Sequence, residues 1–176
     1  AAKVKLSPDK WGYPAGKDCV SCHTKYSSGL TAQWKESAHA EAGVNCMDCH
    51  QASADDVDAI SHEGQTIATV VSPKDCGRCH TVEEEQQRGS VHAEAVAVIA
   101  ERKPAMVTNL GGPAIEAAGC AQCHGSTVKL MASGKLDPTT WPNSGIGRIN
   151  PDGSRGSCSS CHGRHKFSKA QAREPQ

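Results

Sequence analysis

The chain has 176 residues, and its 19 Lys and Arg balance 19 Asp and Glu. A net charge of zero, with no basic block or tail, excludes a surface built to neutralise nucleic-acid phosphates. Three Trp, two Tyr and one Phe are too few for an ordinary aromatic core, and 17 Gly with 9 Pro interrupt most of the chain.

Residues 1–18 read as an irregular lead containing Pro8 and Pro14. The first cysteine pair, Cys19 and Cys22 followed by His23, comes next. Residues 30–42 predict a short helix from Leu30 to Ala42, stopped by Gly43, with Trp34 and Ala38 on one face and His39 beside them. After Cys46, Cys49 and His50, His62 stands alone before the third set, Cys76, Cys79 and His80. Residues 82–103 predict the best helix of the chain. Glu83, Glu84 and Glu85 form its first turn, Arg102 and Lys103 its last, and Pro104 ends it, leaving His92 mid-helix. Pro113 can open another short helix into Cys120, Cys123 and His124. Residues 132–157, rich in Gly, Pro, Asn and Asp, read as a long loop that covers something. Cys158, Cys161 and His162 follow, and 163–176 is a polar tail.

All ten cysteines therefore fall in Cys-x-x-Cys pairs, and each pair is followed at once by His. Five disulfides, or zinc sites, would use ten cysteines but demand no His after every second one. Cys-x-x-Cys-His is the attachment signature of c-type haem. Two sulfurs hold the porphyrin edge through thioethers, and the adjacent imidazole reaches the iron. Five c-type haems would supply the apolar mass that side chains lack, so the apo chain should be largely unfolded. The expected fold is mainly α and coil, with little or no β. It is a single pentahaem domain over 1–176 whose core is built from packed haems. Two propionates per haem would make the loaded protein moderately acidic.

Nine His, less the five proximal ones, leave His39, His62, His92 and His165 as candidate distal ligands. His165 is too close to His162 to serve the same iron. One iron is left without an imidazole on its far side. It is open, or takes Met47, Met106, Met131, a Lys, the terminal amine or a ligand from another protein.

Three segments carry a family resemblance: Gln33-Trp34-Lys35-Glu36-Ser37-Ala38-His39, His62-Glu63-Gly64-Gln65-Thr66, and Cys158 through Ser168, the last continuing over Ala170–Pro175. In these the chain resembles hydroxylamine oxidoreductase and its octahaem relatives, from about residue 10 onward, over the amino-terminal half of the family's length. The resemblance implies that the haem on His124 corresponds to the family's catalytic haem, with its distal side open. The other four would be bis-His relays using His39, His62, His92 and His165. The family's distal catalytic Asp and His, and its cross-linking Tyr, lie beyond the matched region, and neither Tyr13 nor Tyr26 matches that Tyr.

The leading expectation is an electron carrier, so enzymatic activity is left open and leaning against. The alternatives are an oxidoreductase of hydroxylamine or nitrite at the His124 haem, a piece of a split enzyme, or a subunit of an extracellular haem filament. Expected partners are redox proteins or other multihaem cytochromes, with a homo-oligomer allowed and no nucleic acid. The opening Ala1-Ala2-Lys3 without an apolar h-region reads as a mature exported form, periplasmic or extracellular, with no membrane span.

Overall fold

The computed structural model describes residues 18–102, 109, 119–140 and 145–168. The lead before Asp18, the helix expected at Pro113, Met106, and the tail beyond residue 168 lie outside these. The chain divides into two compact units, Ala1–Cys49 with Cys161–Gln176, and His50–Ser160.

The first unit is a run of short helices. In α1 (Cys19–Tyr26) the Asp18 carboxylate accepts from the Ser21 N–H at 2.8 Å, an N-cap that starts the helix inside the first motif. The single helix expected over 30–42 is two, α2 (Ser28–Lys35) and α3 (Ala38–Glu41). Buried Ser37 causes the break. Its hydroxyl donates to the Trp34 carbonyl at 2.6 Å and accepts from the Ala40 N–H at 3.1 Å, closing one helix and opening the next. Gly43, at φ +82°, stops the run as expected. The Trp34 indole then donates to the Val44 carbonyl at 3.1 Å and ties the turn back. Asn45 and Asp48 bond each other's end of the next turn, with Asn45 N–H to Asp48 Oδ2 and Met47 N–H to Asn45 Oδ1 both at 2.9 Å. They open α4 (Cys46–His50), whose last residue begins the second unit.

The returning segment 161–168 packs on α2 and α3. The His165 N–H donates to Gln33 Oε1 at 3.2 Å, Lys166 pairs with Glu36 at 3.0 Å, and the Phe167 ring meets His39 edge-on at 5.1 Å.

The second unit opens with an antiparallel hairpin, β1 (Ala59–His62) and β2 (Gln65–Ala68), in register Ala59 to Ala68 through His62 to Gln65. Glu63 and Gly64 take φ of +49° and +79°, the left-handed pair a two-residue hairpin turn requires. Next, Ser72 and Pro73 start α5 (Pro73–Gly77), with Asp75 Oδ2 accepting from the Ser72 N–H at 2.8 Å. The long helix expected over 82–103 is also two, α6 (Thr81–Arg88) and α7 (Ala95–Arg102). Gly89 ends α6, and the Ser90 hydroxyl takes the Gln87 carbonyl at 2.7 Å, so His92 lies in the turn between helices, exposed, and not mid-helix. The turn lets Ala93, Ala95 and Ile99 go inward. A final short helix, α8 (Ala121–His124), precedes a stretch of turns and single bridges, among them Thr127 to Ile149 and Ile149 to Arg155.

Among the described residues the fold is mostly helix and coil with one two-stranded sheet. Its apolar core is thin: Met47, Val70, Ala93, Ala95, Ile99 and Val128. Tyr26 and Val91 meanwhile stand 84% and 80% exposed. No helix of the described residues is long and apolar enough to cross a membrane.

Candidate haem-attachment sites

Residues i, i+3 and i+4 of a helical turn share one face, and that is how these motifs are carried. The first sits on α1 and the second on α4, while the fourth runs from Cys120, the N-cap of α8, to His124 at its end. The third straddles the end of α5, where the His80 N–H still donates to the Cys76 carbonyl at 2.9 Å and closes an α-type turn. The fifth begins on a 3-10 turn, Cys158–Ser160. In each motif the first cysteine is half-buried, and in four of the five the second (Cys22, Cys79, Cys123, Cys161) is exposed; Cys49 is half-buried. None of the ten is in a disulfide.

His50 shows the donor chemistry most directly. Its Nδ1 lies 2.8 Å from the Ala68 carbonyl, which can only accept, so Nδ1 is the donor there and Nε2 is the nitrogen a metal would take. The hairpin thus sets the tautomer of the second motif's imidazole. His23 and His124 are half-buried, while His80 and His162 are exposed.

The cysteines come together in pairs within each unit. In the first, Cys46 and Cys19 share a sulfur hydrogen bond, which with burial pushes the Cys46 thiol far above its usual range. In the second, a hydrogen bond from Cys76 pulls the Cys158 thiol down to about 7, against burial and with help from its backbone and the Arg148 charge. A thioether does not titrate, so these values belong to the free thiols. What survives attachment is the adjacency: first motif beside second, third beside fifth.

The fourth motif is held differently. Segment 145–149 clamps it through backbone bonds, from Ile146 N–H to the Cys123 carbonyl and from Gly147 N–H to the His124 carbonyl, both 2.9 Å. Beyond the motif, Ile149 N–H donates to the Ser126 carbonyl at 3.2 Å and Val128 N–H to the Ile149 carbonyl at 2.9 Å. Close approach needs glycine on both sides. A Cβ on Gly145 would lie 2.1 Å from the Gly125 nitrogen, and one on Gly125 would lie 2.5 Å from the Arg148 nitrogen. Within the loop expected over 132–157, segment 145–149 is therefore bonded along the fourth motif and the residues just after it.

Of the candidate distal ligands, His39 and His165 meet one ring, Phe167, at 5.1 and 6.4 Å, both edge-on. His62 stands exposed at the end of β1, and His92 exposed in the α6–α7 turn. Met47 is 3% exposed in α4, while Met131 is largely exposed. The sequence reading passed over Arg148 and the glycine clamp. The run Gly145-Ile146-Gly147-Arg148 was their only sign, and it looks like ordinary loop.

The family described as Cytochrome c554 and c-prime matches residues 2–51, which include the first two motifs. A solved structure titled "Hypothetical multiheme protein" is similar at 29% identity and a TM-score of 0.81, over 93% of this chain and 42% of that one. The chain thus spans less than half the length of that relative. Five Cys-x-x-Cys-His motifs on tight turns and these two likenesses together support a multihaem cytochrome c.

Proposed function

We propose that the chain binds five c-type haems and relays electrons along them. The ten cysteines of the five motifs would form the thioethers, and His23, His50, His80, His124 and His162 would be proximal ligands. The observation that carries this reading is the pairing of attachment points, Cys19 with Cys46 and Cys76 with Cys158. Sulfurs in contact bring two porphyrin edges side by side in each unit, and low-spin haems exchange electrons with little rearrangement. The thin core and exposed apolar side chains suit a chain folded around porphyrins. His39, His62, His92 and His165 are the proposed distal ligands; the shared Phe167 contact supports His39 and His165 as rings held in fixed poses. Partners would be redox proteins or other multihaem cytochromes, outside the cytoplasmic membrane. The test is mass spectrometry of the denatured protein, where five haem adducts are expected and bare thiols would sink the reading.

The ligand count favours a second reading. Four spare imidazoles cannot serve five irons, and the resemblance to hydroxylamine oxidoreductase points to His124 as the haem with an open side. A small nitrogen compound such as hydroxylamine or nitrite would bind there, with electrons supplied or removed by the other four. A high-spin ferric signal shifted by cyanide, and turnover of hydroxylamine with an artificial acceptor, are the expected results. A fully low-spin, inert protein leaves electron relay alone.

A further inference from the structure

We propose that Arg155 is a positioning residue for the His92 imidazole: its ion pair with Glu94 pins the turn that carries His92 to the segment leading into the fifth motif. This rests on the reading of His92 as a distal haem ligand and deepens it, because it assigns the aim of that ring to a contact outside every motif.

The turn between α6 and α7 moves as a unit. Three successive backbone bonds close it, from the Ala93 N–H to the Ser90 carbonyl at 3.2 Å, from Glu94 to Val91 at 3.3 Å and from Ala95 to His92 at 3.2 Å. The His92 side chain is exposed, so its direction follows the backbone that carries it.

Contacts with segment 145–156 bracket this turn. Ahead of it, a Cβ on Gly156 would lie 2.7 Å from Gln87 Cδ, so the Gln87 side chain rests directly on that backbone. Behind it, a Cβ on Gly147 would lie 2.8 Å from Ala95 Cβ. The Glu94–Arg155 pair stands between, two residues from His92. The far end of the pair is fixed in its turn. Arg155 forms an antiparallel bridge with Ile149, and the Gly156 N–H donates to the Arg148 carbonyl at 2.7 Å. Segment 145–149 is itself bonded along the fourth motif. The glycine contacts set how closely the turn approaches, and the charge pair adds the directional contact on the side of His92. Its side chains are 45% and 47% exposed, so it shifts an equilibrium by no more than about fivefold and is screened by salt.

The experiment follows cyanide capture by the ferric full chain with its haems bound, using EPR so that single haems are resolved. His92→Ala identifies the haem concerned, whose low-spin signal should turn high-spin. At that haem Arg155→Gln should speed cyanide capture about threefold, and Glu94→Gln should do the same. The double reversal Glu94→Arg with Arg155→Glu should restore the parent rate, which a merely structural role would not. Salt at about 1 M, where screening acts over about 3 Å, should bring the parent toward Arg155→Gln and leave that variant unmoved. An unchanged rate in both single variants overturns the proposal. An equal gain at every haem, or a reversal no better than either single variant, overturns it too. If Arg155→Gln fails to load haem, Glu94→Gln and the salt series decide. The two levels separate at His92→Ala: a fully low-spin variant sinks the distal-ligand reading, while a high-spin haem with unmoved capture in the pair variants sinks only this inference.

Discussion

Asp58 is 7% exposed in the second unit, where it lines a cavity of about 10 Å³ with Asp56, Asp75, Asp152 and Lys74. Burial raises its pKa first, and the neighbouring Asp152, Asp56 and Asp75 carboxylates raise it further. A carboxyl that holds its proton more tightly when folded loses stability as pH rises from its unfolded value, 3.8, through its folded one. Asp58→Asn removes that loss. We expect it to stabilise the loaded protein by about 1 kcal/mol at neutral pH and to leave it unchanged or weaker at pH 3. Denaturant titrations at the two pH values check this, and a mutant weaker at both would refute it. Lys74 follows the same direction in a different pH window. Burial lowers its pKa, but the Asp56 and Asp152 carboxylates outweigh burial and raise it, so its contribution is lost only as pH climbs past 10.5. Gly145 makes a steric prediction. With a Cβ due 2.1 Å from the Gly125 backbone, Gly145→Ala should cost about 3 kcal/mol. On the proposed five-haem reading it should also loosen the haem at the fourth motif before the others, seen as a lower melting temperature and a shifted spectrum for that haem alone.

Phe167 joins the returning strip 161–168 to the helix that carries His39. Its single ring meets two candidate ligands edge-on, so Phe167→Ala should broaden or split the low-spin EPR signals of two haems while haem mass stays constant. Signals unchanged in the mutant would mean that neither imidazole depends on that ring. At the same scale the sequence was legible where chemistry is local. Cys-x-x-Cys-His needs one helical turn, and the charge order of Glu83 and Glu84 against Arg88 on α6 is readable from neighbours alone. It was illegible where a residue's partner lies far along the chain. Ser37 could have been a solvated helix residue; the break it makes depends on its burial. His92 seemed mid-helix because 82–103 is charged like one helix, yet Gly89 and Ser90 turn the chain so that Ala93, Ala95 and Ile99 can be buried. The hairpin at Glu63–Gly64 was missed because its strands are four residues each and lack clean alternation.

For the molecule as a whole, the side chains alone bury little: six apolar residues among those described, two of them alanines. Each porphyrin could contribute on the order of 10 kcal/mol of burial as an upper bound, more than this protein core offers. A chain produced with its ten cysteines replaced by serine should therefore show little helix by far-UV circular dichroism, and a native-like spectrum would contradict this. Porphyrins held at these motifs would then be structural supports as well as redox centres, two roles that mutating an attachment cysteine would not separate.

The strip from Cys161 to Ser168 has a consequence for biogenesis. It belongs to the unit that begins with the first motif, so that unit's last packing partner is synthesised more than a hundred residues after its first helix. Until the fifth motif follows, α1 to α4 would lack that packing, so the first unit can be completed only after the whole intervening segment has been made. Truncation anywhere in that segment would leave the early part unfinished and open to proteases, which makes the end of this region a checkpoint on its beginning.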